Sequence, residues 1–267
     1  MYEFAGRQAT ARSRVDAFGP LASPPAGNPT PRADNQNFLE VTTWHSGLPL
    51  TMRRGRPVAP KTTFPRRLQL ALKRVLDIVG ALSVLLILGP SLLLLALAIR
   101  LSSPGPALFR QTREGLGGAP IRIYKFRTLY SERCDVSGIA QVERNDPRVT
   151  PIGRVLRRTS LDELPQLINV LKGEMSLIGP RPHVFGTLAA GLPYDRLVPY
   201  YAARRVMRPG LSGWAQANGY RGPTDEAEPA RARIDHDLAY IENYSLLLDI
   251  RIVWLTLRHE FLGGTGL

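Results

Sequence analysis

Cysteine is almost absent. The single thiol in 267 residues, Cys134, excludes an intramolecular disulfide and a cysteine-based zinc cluster. The four histidines are scattered and show no metal-ligand spacing. Acidic residues are scarce beside basic ones, 22 against 35, which leaves a formal net charge of +13 and a pI near 10.5. That imbalance favours polyanionic partners: nucleic acid, anionic lipid or phosphorylated substrates. No helix-turn-helix, zinc-finger or RNA-binding signature accompanies the charge, so nucleic acid is not expected as a partner. The N-terminus lacks the charged-then-apolar order of a secretory signal, and export is not expected. Residues 1–65 lack apolar periodicity and are rich in Pro, Gly, Ala, Arg, Ser and Thr. They read as a disordered basic arm, unable to bury enough surface to offset its ordering entropy.

Charge is also missing from Ile78 to Ile99. The run approaches the roughly 20 apolar residues that cross a bilayer. Gly89-Pro90 sits near its middle, where proline removes a helical hydrogen bond and kinks the chain. Both flanks are basic: Arg66, Arg67, Lys73 and Arg74 before, Arg100, Arg110 and Arg113 after. The positive-inside tendency therefore sets no crossing direction. A spanning helix is the simplest reading of these residues. A helix–break–helix that enters and leaves one leaflet also satisfies both flanks.

Beyond it, ALFRQT and APIRIYKFRTL bracket the glycine-rich REGLGG and predict a β-hairpin. Residues 135–149 read as a loop. Thr150-Pro151 predicts an N-cap followed by proline at the first helical position. Ser160 and Glu163 fit a capping box, and Gly173 fits a helix stop, although Pro165 interrupts the pattern. The tail, from Ile234 onward, reads as helices.

The stretch TSLDELPQLINVLKGEMSLIGPRPH, Thr159 to His183, places two adjacent carboxylates ahead of a stiff Pro-Arg-Pro turn. Near a helix start Asp162 and Glu163 should favour their ionised forms. Oxygen ligands suit Mg²⁺, which often takes one or two carboxylates plus substrate phosphates. An ionised carboxylate can also attack phosphorus to give an acyl phosphate. The plain alternative is a capping box without chemistry. Around the pair stand Arg157 and Arg181, with Lys125, Arg127 and Arg208 as further candidate phosphate ligands, since guanidinium groups bind phosphate bidentately.

KRVLDIVGALSVLL, ALFRQTREG, YKFRTL, SLDELPQLINVLKGEMSLIGPRP and RPGLSGWAQANG, in this order, resemble the bacterial sugar transferases, monotopic phosphoglycosyl transferases of the membrane. The likeness runs from about Phe64 to the C-terminus. It implies a hexose 1-phosphate moving from a UDP-sugar to undecaprenyl phosphate, with UMP released, as the first membrane step of exopolysaccharide or O-antigen synthesis. It implies Asp162 as nucleophile, Glu163 and Asp162 holding Mg²⁺, and Arg157 and Arg181 on phosphate. It implies a re-entrant helix broken at Gly89-Pro90 rather than a span, where many members carry Ser-Pro. The expected fold is α+β and mostly helical. It comprises the arm over 1–65, the re-entrant membrane helix over 66–102, and a catalytic domain over 103–267 on the cytoplasmic face of the inner membrane. Without preceding spanning helices, the chain resembles the short, catalytic-core form. Membrane lipid and downstream glycosyltransferases are the implied partners. His183 and the tail are more similar to hexose transferases, with UDP-glucose first and UDP-galactose second. The rival expectation is a non-catalytic, membrane-anchored basic protein that binds nucleic acid or anionic lipid.

Overall fold

In a computed structural model, the described residues are 40–45, 48–53, 64–134, 142 and 146–258. The strands are β1 (Glu40–His45), β2 (Leu48–Arg53), β3 (Leu108–Glu114), β4 (Pro120–Phe126), β5 (Ser176–Ile178), β6 (Leu188–Ala189), β7 (Leu192–Pro193) and β8 (Gly210–Ser212). The α-helices are α1 (Phe64–Ser102), α2 (Pro151–Arg158), α3 (Leu167–Lys172), α4 (Tyr194–Leu197), α5 (Trp214–Ala217), α6 (Ala227–Glu242) and α7 (Leu246–Arg258). The basic arm is therefore not featureless. β1 and β2 pair antiparallel within it, on a stretch whose β-branched Val41, Thr42 and Thr43 suit a pleated strand. The rest of that arm, and most of the loop read over 135–149, lie outside the described residues.

Among the described residues every sheet is two-stranded. β3 and β4 run antiparallel, with Leu108 opposite Phe126 and Glu114 opposite Pro120. β5 and β8 pair in parallel, Ser176 with Gly210. The largest core gathers α4 to α7 around the fully buried Trp214, Ile234, Tyr240 and Ile252. Two smaller cores hold the long helix. Ala81 joins Ile123, Leu167, Val170 and Met175, while Ile99 joins Phe126 and Leu156. Burying each of the larger apolar side chains contributes about 1.5–3 kcal/mol.

Among the described residues, one helix, over Pro65–Ser102, is long and apolar enough to cross a membrane. Leu86, Ile87, Leu93 and Leu94, on either side of Gly89-Pro90, expose 69–75% of their surface. The ends of α1 behave differently. Arg66 donates to the carbonyls of Ile241 and Tyr244, each at 2.9 Å. Lys73 Nζ lies 2.7 Å from Asp249, and Arg74 donates to Val170 O and Leu171 O at 2.7 and 3.1 Å. Asp77 accepts from the Leu177 amide at 2.9 Å. These three basic residues, expected only as flanking charges, dock the helix onto the domain. At the other end Arg127 does the same work. Its guanidinium donates to Ile99 O (3.1 Å), Ser103 O (2.7 Å), Ser103 Oγ (3.0 Å), Ser131 Oγ (2.9 Å) and Pro104 O. The last turn of a helix leaves carbonyls without intrahelical partners, and a buried arginine satisfies them.

Candidate active site

The site is assembled at the corner after α2. Thr150 caps that helix, its hydroxyl accepting from the Gly153 amide at 2.9 Å, with Pro151 at the first turn. At Gly153 a Cβ would meet Thr128 O at 2.2 Å, so only glycine lets α2 lie this close to the chain leaving β4. α2 ends at Arg158, and Ser160 then takes a left-handed conformation, φ 53°. The chain re-enters as a 3-10 turn, Leu161–Gln166, before α3 begins. Pro165 explains the turn: with no amide hydrogen it cannot donate into an α-helical ladder. The capping box does not form. The Ser160 side chain makes no capping bond, and Glu163 turns its carboxylate to cations instead. Gly173 does end α3, in the left-handed conformation expected of it.

Glu163 is clamped. Lys125 from β4 lies 2.7 Å from Oε1, and Arg181 bonds both oxygens, at 2.6 and 3.1 Å. Burial acts to raise the Glu163 carboxyl, but Arg181 and Lys125 hold it well below the ordinary carboxylate range. Asp162 differs in every respect. It is buried, yet among the described residues no hydrogen bond and no ion pair reaches its carboxylate. Burial pushes it up to about 6, with Glu163 adding to the rise and Lys125, Arg157 and Arg181 opposing it. The result is an ionisable, uncommitted carboxylate within reach of three cationic fields.

The remaining candidates separate. Arg157, Arg181 and Lys125 share the field at Asp162. Arg127 is used up at the end of α1, and the exposed Arg208 donates to Gly173 O, at the far end of α3. Arg113, which the sequence offers only as a flanking charge, stands beside the clamp in their stead. It is driven down to about 10 by burial and by Arg181, with Glu163 opposing. It donates to Gln111 Oε1 and to Pro182 O. The alternation of β3 was the one cue that it turns inward. His183 is buried beside Tyr194 and Tyr201, its Nδ1 3.0 Å from Tyr201 Oη, so it supports the loop behind Arg181.

For Mg²⁺ this donor set offers one open carboxylate, Asp162. Glu163 would have to release Lys125 or Arg181 to serve as a second ligand. No group of three or more His, Cys, Asp or Glu side chains placed to hold a metal ion occurs among the described residues. The arrangement therefore fits an ion that draws most of its ligands from substrate phosphate and water.

The profile of the bacterial sugar transferase family matches residues 68–263. The chain belongs to that family. An exopolysaccharide production protein of Rhizobium leguminosarum bv. phaseoli is 53% identical over 199 residues, 74% of this chain and 100% of the relative. A UDP-glucose:undecaprenyl-phosphate glucose-1-phosphate transferase of Caulobacter vibrioides is 52% identical over 207 residues, 78% of this chain and 74% of the relative. A UDP-N-acetylgalactosamine-undecaprenyl-phosphate N-acetylgalactosaminephosphotransferase of Aeromonas hydrophila is 43% identical over 196 residues, 73% of this chain and 44% of the relative. The 3-10 turn that carries Asp162 and Glu163 lies inside the matched span.

Proposed function

We propose that this protein transfers a hexose 1-phosphate from a UDP-sugar to undecaprenyl phosphate, in two steps through Asp162. The observation that carries this reading is the contrast within the pair: Asp162 uncommitted, Glu163 locked between Lys125 and Arg181. In the first step an Asp162 oxygen attacks the sugar-bearing phosphorus of the UDP-sugar. The bond to the UMP oxygen breaks, and UMP leaves with the electron pair. In the second, an oxygen of undecaprenyl phosphate attacks the same phosphorus and the Asp162 carboxylate is the leaving group. Arg157 and Arg181 offset charge on the phosphates, and Lys125 fixes Glu163 while adding to that field. Bound Mg²⁺ would supply further charge neutralisation at the pyrophosphate, with Asp162 as the available protein ligand. UDP-glucose is the first-choice donor, in line with the names of several relatives, and UDP-galactose the second.

The same reading places the catalytic face on the cytoplasmic side of the inner membrane, with α1 re-entrant. Ala81 and Ile99 would stand ~27 Å apart on a straight helix. Their two cores draw on Ile123 and Phe126 of β4, only about 10 Å apart along a strand. α1 runs as one continuous helix through Pro90; a bend there would reconcile these lengths and would send the exposed Leu86–Leu94 tip away from the domain, into one leaflet. Cysteines placed at either end of α1 should both label only from the cytoplasm.

The decisive experiment omits the acceptor. Protein in nanodiscs mixed with labelled UDP-glucose and Mg²⁺ should release up to one UMP per site and keep labelled sugar phosphate on the polypeptide. Release of UMP only when undecaprenyl phosphate is present, with no trapped label under rapid quench, would mean direct transfer and remove the covalent step.

A further inference from the structure

Arg181 reaches Glu163 from a segment with few handles of its own. Pro180 and Pro182 flank it, and neither has an amide hydrogen to anchor the backbone. The carbonyls carry the load instead, and every one of them is held. Gly210 N donates to Pro180 O at 2.9 Å, Arg113 Nη1 to Pro182 O at 2.8 Å, and Glu114 N to His183 O at 2.8 Å. The fourth, Arg181 O, accepts from Arg204 Nη2. Arg204 comes from the 3-10 turn Tyr201–Val206 and is itself almost fully buried. It is fixed by Asp237 of α6, whose Oδ2 accepts from Nε at 3.0 Å and from Nη2 at 2.8 Å. Asp237 exposes 1% of its surface. Neither residue bonds Asp162 or Glu163.

On this geometry we propose that Arg204, oriented by Asp237, is a positioning residue that sets where the Arg181 guanidinium stands and, through it, the geometry at Glu163 and Asp162. The proposal rests on the transfer reading above for its kinetic consequence but not for its structural one. A buried ion pair of this kind contributes little net stability against an apolar pair of similar volume, so its presence between two elements is better accounted for by orientation. The chain of contacts is short and stiff: α6 carboxylate, Arg204, the Arg181 carbonyl, then the Arg181 side chain on Glu163. Displacing a phosphate-clamping group by about 1 Å costs roughly a hundredfold in rate.

Removing one partner alone would strand a buried charge and endanger folding, so the informative variant removes both, Arg204→Met with Asp237→Leu. Two readouts are taken on protein in nanodiscs. The first is kcat/KM for UDP-glucose in a cycle with Arg181→Ala. The paired change should cost about 10- to 100-fold in the native background and less than about twofold when Arg181 is already gone. An equal loss in both backgrounds would mean a purely structural pair and overturn the proposal. The second needs no turnover: the guanidinium ¹⁵N–¹H resonances of Arg181, assigned with Arg181→Lys, report whether both of its bonds to Glu163 persist. In the paired variant these resonances should shift and exchange faster with water, as a guanidinium released from a buried carboxylate does. Unmoved Arg181 resonances would overturn the positioning role. Displaced resonances in a protein that never releases UMP would uphold it and sink the transfer reading instead.

Discussion

Two buried charge clusters in this molecule each set a lysine against a pair of carboxylates, and they differ in how fully those carboxylates are bonded. In one, Lys73 and Asp77 of α1 meet Asp249 of α7. Every carboxylate there has a donor: Lys73 and Tyr240 on Asp249, each at 2.7 Å, and the Leu177 amide on Asp77. In the other, Lys125, Arg181 and Glu163 are equally closed, but Asp162 beside them accepts nothing among the described residues. Burial raises the carboxyl in both, at Asp249 and at Asp162, and in both a lysine opposes it. The difference is hydrogen bonding. A satisfied buried charge fastens elements together, whereas an unsatisfied one in a cationic field is available for chemistry.

The largest expected effect comes from closing that difference. Asp162→Asn should lower UMP release about 10⁴-fold or more, as loss of a nucleophile does. The same change should stabilise the fold. The native carboxyl is raised from 3.8 to about 6, so its ionised form costs the native state stability above about pH 6 and nothing below about pH 4. Melting followed from pH 4 to pH 8 should show a gain for the variant of roughly 2–3 kcal/mol at the upper end, fading to zero at the lower.

Lys73→Met breaks the closed cluster. It strands Asp249 and Asp77 and should cost about 3–5 kcal/mol by denaturant unfolding. Turnover per folded molecule should stay within about twofold of the native value. A large loss of turnover without loss of stability would erase the distinction between the clusters.

Glu163→Gln tests the clamp beside the open carboxylate. It leaves Lys125 and Arg181 without their counter-charge, and about 3 kcal/mol of stability should go with it at neutral pH. Glu163 is held below its ordinary value of 4.5, so this contribution is full above that value and fades as pH falls beneath it. The native protein and the Glu163→Gln variant should therefore converge in stability in acid.

A smaller effect is the pH profile itself. The rate of acceptor-independent UMP release should fall about tenfold per unit below pH 6, as Asp162 takes up its proton. A limb near pH 4 would contradict the raised carboxyl. Smallest of all is Arg208→Ala. Its exposed guanidinium caps Gly173 O, and both rate and stability should move by less than about 0.5 kcal/mol.

Much of this was legible in the chain. The uncharged run, the Thr150-Pro151 start, the Gly173 stop and the adjacent carboxylates are all local, and each rests on a rule of spacing or backbone geometry. What misled was equally local. Ser160 and Glu163 match a capping box, but two distant cations outcompete a single amide for the Glu163 carboxylate. Arg113 and Arg127 lie on adjoining stretches of β3 and the chain just after β4, and nothing in their neighbours tells that one serves the site and the other the end of α1.

By itself the sequence determined the inventory: the paired carboxylates, the proline-stiffened arginine, the apolar helix with proline inside it, and the surplus of positive charge. Composition and short-range sterics suffice for those. Only the tertiary structure decided the assignments, because burial and partnership are properties of space rather than order. It gave Glu163 two cations and Asp162 none as direct partners, spent Arg127, Arg66, Lys73 and Arg74 on docking the helix, and brought Arg204 and Asp237 behind Arg181 from elements more than twenty residues further along the chain.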